Sequence, residues 1–380
     1  MKFFAFIFIL LFSASAQAAP LNTSLPLPPP PDIAAKAYVL VDFNSGQALV
    51  SEHANDRIDP ASLTKLMTAY LAFSAIKQGR LTLKQTLPVS EKAWKAEGSR
   101  MFIEPNKPAS VEDLLRGVIV QSGNDACITL AEGIAGSEET FAQMMNQQAQ
   151  KFGMSNTHFV NSTGLPHPQH YTTAHDLSLL AAAIIRDFPE FYPLYSLKEF
   201  TYNNITQANR NRLLWRDPNV DGMKTGHTES AGFCLIASAK REQRRLISVM
   251  LGTASESMRA LESQKLLNYG FQFFDTVRVY QNGQTVATLP VWKGAQNTIK
   301  AGFGQDIYFS FPRGQYQKLK ATLTFNQPLL APLSVGQKVG VVKLSFDGKP
   351  AGEYPLAALE NISIANIFGR AWDSMKLWFK

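Results

Sequence analysis

Two largely apolar runs, "GFCLIASA" (232–239) and "LISVMLG" (246–252), constrain the fold more than any other feature of the chain. Only the charged hairpin "KREQRR" separates them, so they read as adjacent antiparallel strands. A strand with apolar residues on both faces and no polar alternation is covered on both sides, which requires helices packed on the sheet. One other stretch offers a matching strand pair: "AYVLVDFNSGQALVS" (37–51), with a turn at Asn44-Ser45-Gly46. Between these distant segments the pattern is helical. The expectation is a mixed α/β domain whose first and last strands share one antiparallel sheet flanked by helices.

The helical middle reads as several elements. One begins near Ser62 in "DPASLTKLMTAY" and runs to about Lys77, where Gly79 ends it. A second follows a Ser110/Asp113 capping box and breaks at Gly123. "SEETFAQMMNQQAQKFGM" and "TTAHDLSLLAAAIIRDF" are further amphipathic helices, with Thr173 as a cap for the latter. A last helix covers about Ser257 to Phe274. From Val277 to Leu359 the period changes to short alternating runs divided by Asn282-Gly283, Lys293-Gly294, Arg313-Gly314 and Asp347-Gly348. That is a small all-β sandwich domain. The expected domain limits are 32–275 for the α/β part and 276–360 for the β part.

Both ends differ from this body. Lys2, the apolar run Phe3 to Phe12 and Ala16-Gln17-Ala18 have the order of a cleaved signal peptide over 1–18, too short to span a bilayer. A proline-rich leader, 19–31, follows. The tail, 361–380, places Ile364, Ile367, Phe368, Ala371, Trp372, Met375, Trp378 and Phe379 on one helical face and Arg370, Asp373, Lys376 and Lys380 on the other. Such a helix either packs on the β domain or lies in a membrane interface, and tryptophans with lysines favour the interface. An exported protein held at a membrane surface by this tail is the expectation. The net charge of +7 forms no continuous basic block with interleaved aromatics, which argues against nucleic acid as a partner. Cys127 and Cys234, each inside an apolar run, read as buried free thiols more readily than as a disulfide.

Three short segments carry chemistry. Ser62 and Lys65 are three apart, so one helical turn can bring hydroxyl and amine together at an amino-terminal end. A serine needs a base to become a nucleophile, and a lysine serves only if burial or a second cation lowers its pKa. Taken singly, Ser62 reads as a cap and Lys65 as a surface charge. Ser122-Gly123-Asn124 adds a second hydroxyl and an amide, and Lys224-Thr225-Gly226, just before "GFCLIASA", adds a second ammonium and a hydroxyl donor. Gly226 leaves room for an extended substrate along the strand edge. His167 and His170 in "GLPHPQH" read as loop histidines, not metal ligands, and Asp176 as part of a helix start. No metal or other cofactor is implied.

The order S-x-x-K, S-x-N, K-T-G is the signature of penicillin-binding proteins and serine β-lactamases. With "SLTK", "QSGNDA", "NSTGLPHPQHYTTAHDL", "DGMKTGHTESAGFCLIASA" and "LLNYGFQFF", the chain resembles the D-alanyl-D-alanine carboxypeptidases among low-molecular-mass penicillin-binding proteins. The resemblance implies a penicillin-binding/β-lactamase-like serine acyl-transferase domain acting on peptidoglycan stem peptides and acylated by β-lactams. It implies Ser62 as nucleophile, Lys65 as base, and Ser122 with Asn124 as proton shuttle and substrate holder. Lys224 and Thr225 receive the terminal carboxylate, and the amides of Ser62 and His227 form the oxyanion hole. Arg259 in "SESMRALES" matches an arginine that helps orient carboxylate binding. DD-endopeptidases carry the same three motifs and remain an alternative, as does a wall scaffold with little turnover. The stretch Phe159 to Thr173 holds no Asp or Glu, so it lacks the deacylating glutamate of class A β-lactamases.

Overall fold

The computed structural model describes residues 8–9, 27–325 and 327–378. Apart from Phe8–Ile9, whose backbone runs antiparallel to 322–323, the expected signal segment and the leader as far as Pro26 lie outside the described residues. The chain divides into two compact units, Pro29–Gln272 and a unit containing Phe273–Lys380.

In the first unit, strands β1 (Ala37–Asp42), β2 (Ala48–Glu52), β3 (Val220–Thr228), β4 (Gly232–Arg241) and β5 (Arg244–Thr253) form one antiparallel sheet in the order β2-β1-β5-β4-β3. The first strand therefore returns to pair with the last, Val39 opposite Val249, while Val249 faces Ile236 on the other side. β1 is buried at every residue, and β4 and β5 are buried from Cys234 to Ala239 and from Leu246 to Leu251. β3, which carries Lys224-Thr225-Gly226, is an edge strand.

Helices occupy the middle of the chain: α1 (Lys65–Lys77), α2 (Val111–Arg116), α3 (Asn124–Ala135), α4 (Glu138–Lys151) and α5 (Ala174–Asp187), then α6 (Glu256–Phe273) after the sheet. Ser110, Ser137 and Thr173 accept from the amides of Asp113, Thr140 and Asp176, satisfying donors that each helix start leaves open. Two expectations need correction. α1 does not begin at Ser62; Ala61–Thr64 is a 3-10 turn and the α-helix starts at Lys65. The break after α2 is not made by Gly123. A π turn, Gly117–Gln121, ends on Ser122 itself, whose φ is +63°, while Gly123 is extended at φ −63°. The wider turn points Ser122 out of the helical run in a way an α-helix would not permit.

The second unit is all-β. Its larger sheet contains Leu319–Thr324, Lys338–Phe346, Lys349–Ala358, Thr298–Gly302, Thr285–Trp292 and Leu329–Leu330, and a separate ladder joins Phe274–Tyr280 to Ile307–Pro312. Gly283, Gly314 and Gly348 turn the chain at positive φ. The final helix α7 (Ile367–Trp378) buries none of its residues. It is tied to this unit by the Asp373 carboxylate, which accepts from the Lys293 amide at 2.6 Å. Phe368 and Trp378 are 86% and 91% exposed, so the alternative of a helix packed by its apolar face on the β domain does not hold.

Candidate active site

Ser62 makes no capping bond; its hydroxyl meets the Lys65 ammonium instead, Nζ to Oγ 2.9 Å. Lys65 is 1% exposed and its Nζ also donates to the Thr163 carbonyl at 2.5 Å. Burial, and then the nearby Arg210 charge, bring its pKa down to about 8. An amine deprotonated there keeps a hydrogen for Thr163 and turns its lone pair to Ser62. Opposite, Lys224 Nζ donates to Ser122 Oγ at 3.0 Å and to its neighbour's carbonyl, Thr225 O, at 2.9 Å. Burial and then the Lys65 charge push the Lys224 ammonium well below the ordinary lysine range. Two buried ammonium groups in each other's field titrate as a pair.

Three distant segments thus converge, and the packing that holds them uses glycines. A Cβ on Gly226 would lie 3.2 Å from both Ala61 Cβ and the Pro60 carbonyl oxygen. The expected reason for Gly226 was room for substrate; the closer constraint is the Ser62 turn itself, seated on β3. Gly164, at φ +86°, has the Ala61 carbonyl where a side chain would begin. The loop containing Gly164 supplies the Thr163 carbonyl to Lys65.

The remaining residues serve the site at different depths. Asn124, 4% exposed, spends one amide hydrogen on the Glu97 carbonyl at 2.6 Å. Thr225 is buried on β3, and His227, at the exposed end, stacks on Phe233 with ring centroids 3.9 Å apart. Arg259 is 4% exposed and bonds the carbonyls of Gly226 at 3.3 Å and Arg210 at 3.4 Å. It braces β3 through the Gly226 carbonyl.

Several supporting residues escaped the sequence reading. Asp125 accepts from the amides of Met101, Phe102 and Ile103 and so folds the 97–103 loop against the S-x-N turn. Glu138 receives the Ser162 amide and hydroxyl on one oxygen and Lys92 on the other. The 159–173 loop therefore does touch a carboxylate, but one with both oxygens occupied. His170, read as an ordinary loop histidine, is buried: Nδ1 accepts from the Val160 amide at 3.0 Å, which leaves Nε2–H to donate to Thr64 Oγ1 at 2.7 Å. Asp176 reaches beyond its helix to the Asn156 amide and the Thr157 hydroxyl. Arg210 is exposed between the buried Asn209 and Asn211. Cys127 and Cys234 are buried and free, as the sequence suggested.

The D-alanyl-D-alanine carboxypeptidase family profile matches residues 25–255, and that of the penicillin-binding protein 5 C-terminal domain matches 274–363. The chain belongs to the D-alanyl-D-alanine carboxypeptidase family. It is similar to the carboxypeptidase DacC of Escherichia coli, at 44% identity over 92% of this chain and 89% of that protein. DacA of Haemophilus influenzae is 43% identical over 92% of this chain and 91% of its own length. Among solved structures, penicillin-binding protein 5 from H. influenzae matches with a TM-score of 0.84 and 42% identity, covering 88% of this chain and 99% of that one. Penicillin-binding protein D2 of Listeria monocytogenes, solved in an ampicillin-bound form, matches at 32% identity with a TM-score of 0.60 over 64% of this chain and 100% of its own. This carboxypeptidase is accordingly a serine-type hydrolase of the low-molecular-mass penicillin-binding proteins.

Proposed function

We propose that Ser62 is the nucleophile with which this chain removes the terminal D-alanine from peptidoglycan stem pentapeptides. The pair of hydrogen bonds Lys65–Ser62 and Lys224–Ser122 carries the reading. Neutral Lys65 takes the Ser62 proton as Oγ attacks the carbonyl of the D-Ala-D-Ala bond. The amides of Ser62 and His227 receive the developing oxyanion. As the C–N bond breaks, the proton passes through Ser122 to the leaving amine, and water later hydrolyses the acyl ester. Lys224 and Thr225 hold the terminal carboxylate, Asn124 the penultimate residue, and Arg259 keeps Gly226 in place.

β-Lactams, which carry a comparable carboxylate beside a strained amide, acylate the same serine. Glu138, tied to Ser162 and Lys92, is not free to activate the deacylating water, and the adduct persists. α7 holds the enzyme on the periplasmic face of the inner membrane through its exposed Phe368, Trp372 and Trp378.

D-Alanine release from diacetyl-L-lysyl-D-alanyl-D-alanine tests the assignment, with Ser62→Ala as control and a cross-linked dimer as the endopeptidase comparison. Activity surviving in Ser62→Ala, or cleavage of the dimer alone, defeats it.

A further inference from the structure

Asp59, half-buried and three residues ahead of Ser62, uses both carboxylate oxygens, each on a different segment. One oxygen accepts from the Ala61 amide at 2.9 Å. The other accepts from the Thr228 hydroxyl at 3.1 Å and from the Ser230 hydroxyl at 2.6 Å. Thr228 closes β3, and Ser230 lies in the turn that leads to β4. A single side chain thus joins the residue before Ser62 to the residue after His227, across 169 positions of the chain.

Both joined points are places where the backbone needs holding. Ala61 has φ +46°, in the left-handed region that a side chain disfavours. It is wholly buried, with its carbonyl packed against Gly164. The bond from its amide to Asp59 stabilises that conformation, and the planar Ala61–Ser62 peptide then sets the direction of the Ser62 N–H. β3 is an edge strand, with a sheet neighbour on one side only. Arg259 holds the Gly226 carbonyl at 3.3 Å, and the same peptide group carries the His227 N–H. On the other side of His227, Thr228 is held by Asp59 and accepts in turn from the Ala231 amide at 3.0 Å.

We propose that Asp59 is a positioning residue for the oxyanion hole, a strap that sets the separation of the Ser62 and His227 amides. This rests on the reading above, in which those two amides receive the oxyanion. The benefit is geometric. A negative charge close to a developing oxyanion opposes it, so the carboxylate acts as a two-ended acceptor and not through its field. Asparagine can make the same strap: its oxygen takes the Ala61 amide hydrogen, and its NH2 donates to hydroxyls that accept as readily as they donate. Alanine offers neither bond.

Benzylpenicillin with an isotope-labelled β-lactam carbonyl tests this through the acylation rate constant and the infrared stretch of the ester formed. Hydrogen bonds to that carbonyl lower its frequency, so the band reports on the oxyanion hole itself. In Asp59→Ala, acylation is expected to fall about 50-fold, with the band moved to higher frequency. In Asp59→Asn the rate is expected to return to within about three-fold of wild type, with the band back in place. The double variant Thr228→Val, Ser230→Ala keeps the Ala61 bond and removes the far end, and its band is expected to move in the same direction. It decides the question if Asp59→Ala does not fold. A wild-type band in either truncation, or Asp59→Asn as slow as Asp59→Ala, overturns the strap. Absence of a penicillin adduct on Ser62 of the wild type, by mass spectrometry, would instead remove the acyl-transfer reading, and the strap with it.

Discussion

Lys224 Nζ reaches Ser122 Oγ across 3.0 Å, joining residues that stand 102 apart in the chain. The same ammonium lies in the field of Lys65, which is bonded to Ser62, so both hydroxyls are governed by one buried pair of amines whose protonation is coupled.

Acylation therefore follows Lys65 titration. The base must be neutral, and its pKa is brought to about 8 chiefly by burial. Below that value the rate of adduct formation with benzylpenicillin should fall roughly ten-fold per pH unit. Stopped-flow measurement between pH 6 and 9 checks this, and a flat profile over that range would refute it.

His170 links acid stability to the floor of the site. Burial lowers its pKa to about 4, from an ordinary value near 6.5 when unfolded. The folded state thus prefers neutral imidazole. Its contribution is complete above about pH 6.5 and drains away as pH falls toward 4, amounting to about 3 kcal/mol in all. Thermal melts across that window should be steeper in pH for wild type than for His170→Asn. Parallel melting curves would argue against the linkage.

Gly164→Ala should disable the enzyme without touching any reactive group. Its Cβ meets the Ala61 carbonyl, and φ +86° is already unfavourable for a side chain, at about 1–3 kcal/mol. Displacing Ala61 moves Ser62, for which we expect a loss of about 100-fold in penicillin acylation. Full acylation in a folded variant would show that the loop is not what sets Ser62.

Asp125→Asn replaces an acceptor of three loop amides by a group that presents hydrogens to some of them. A loss of about 2 kcal/mol is expected, with faster hydrogen exchange at residues 101–103. Unchanged exchange there would contradict the bracing role.

The tail is tested on vesicles. Phe368 and Trp372 are exposed on α7, and each such side chain contributes about 1.5–3 kcal/mol when buried in an apolar phase. Changing both to Asp should release the protein from phosphatidylglycerol vesicles in co-sedimentation. Retention of the variant would place the anchor elsewhere.

Much of this was readable in one dimension. The central strands announce themselves because a strand covered on both faces can carry no polar alternation, and "GFCLIASA" and "LISVMLG" carry little. The hydroxyls and amines of the three motifs could be named because acyl transfer restricts which residue types can do it. Ser122's left-handed backbone was not readable, since it follows from a π turn instead of from the glycine beside it. Glu138, His170 and Asp125 were missed for a related reason. They act on backbone amides or on Thr64 and Ser162, far away in sequence, and nothing in their local spacing marks that use.

The sequence alone determined which groups are present and that a covered sheet must bring the first and last strands of the α/β unit together, because both depend on residue type and period. Only the tertiary structure decided that Lys65 and Lys224 share one desolvated space and that Thr163 offers its carbonyl there. Desolvation and mutual repulsion depend on separation in space, and no one-dimensional pattern contains that distance.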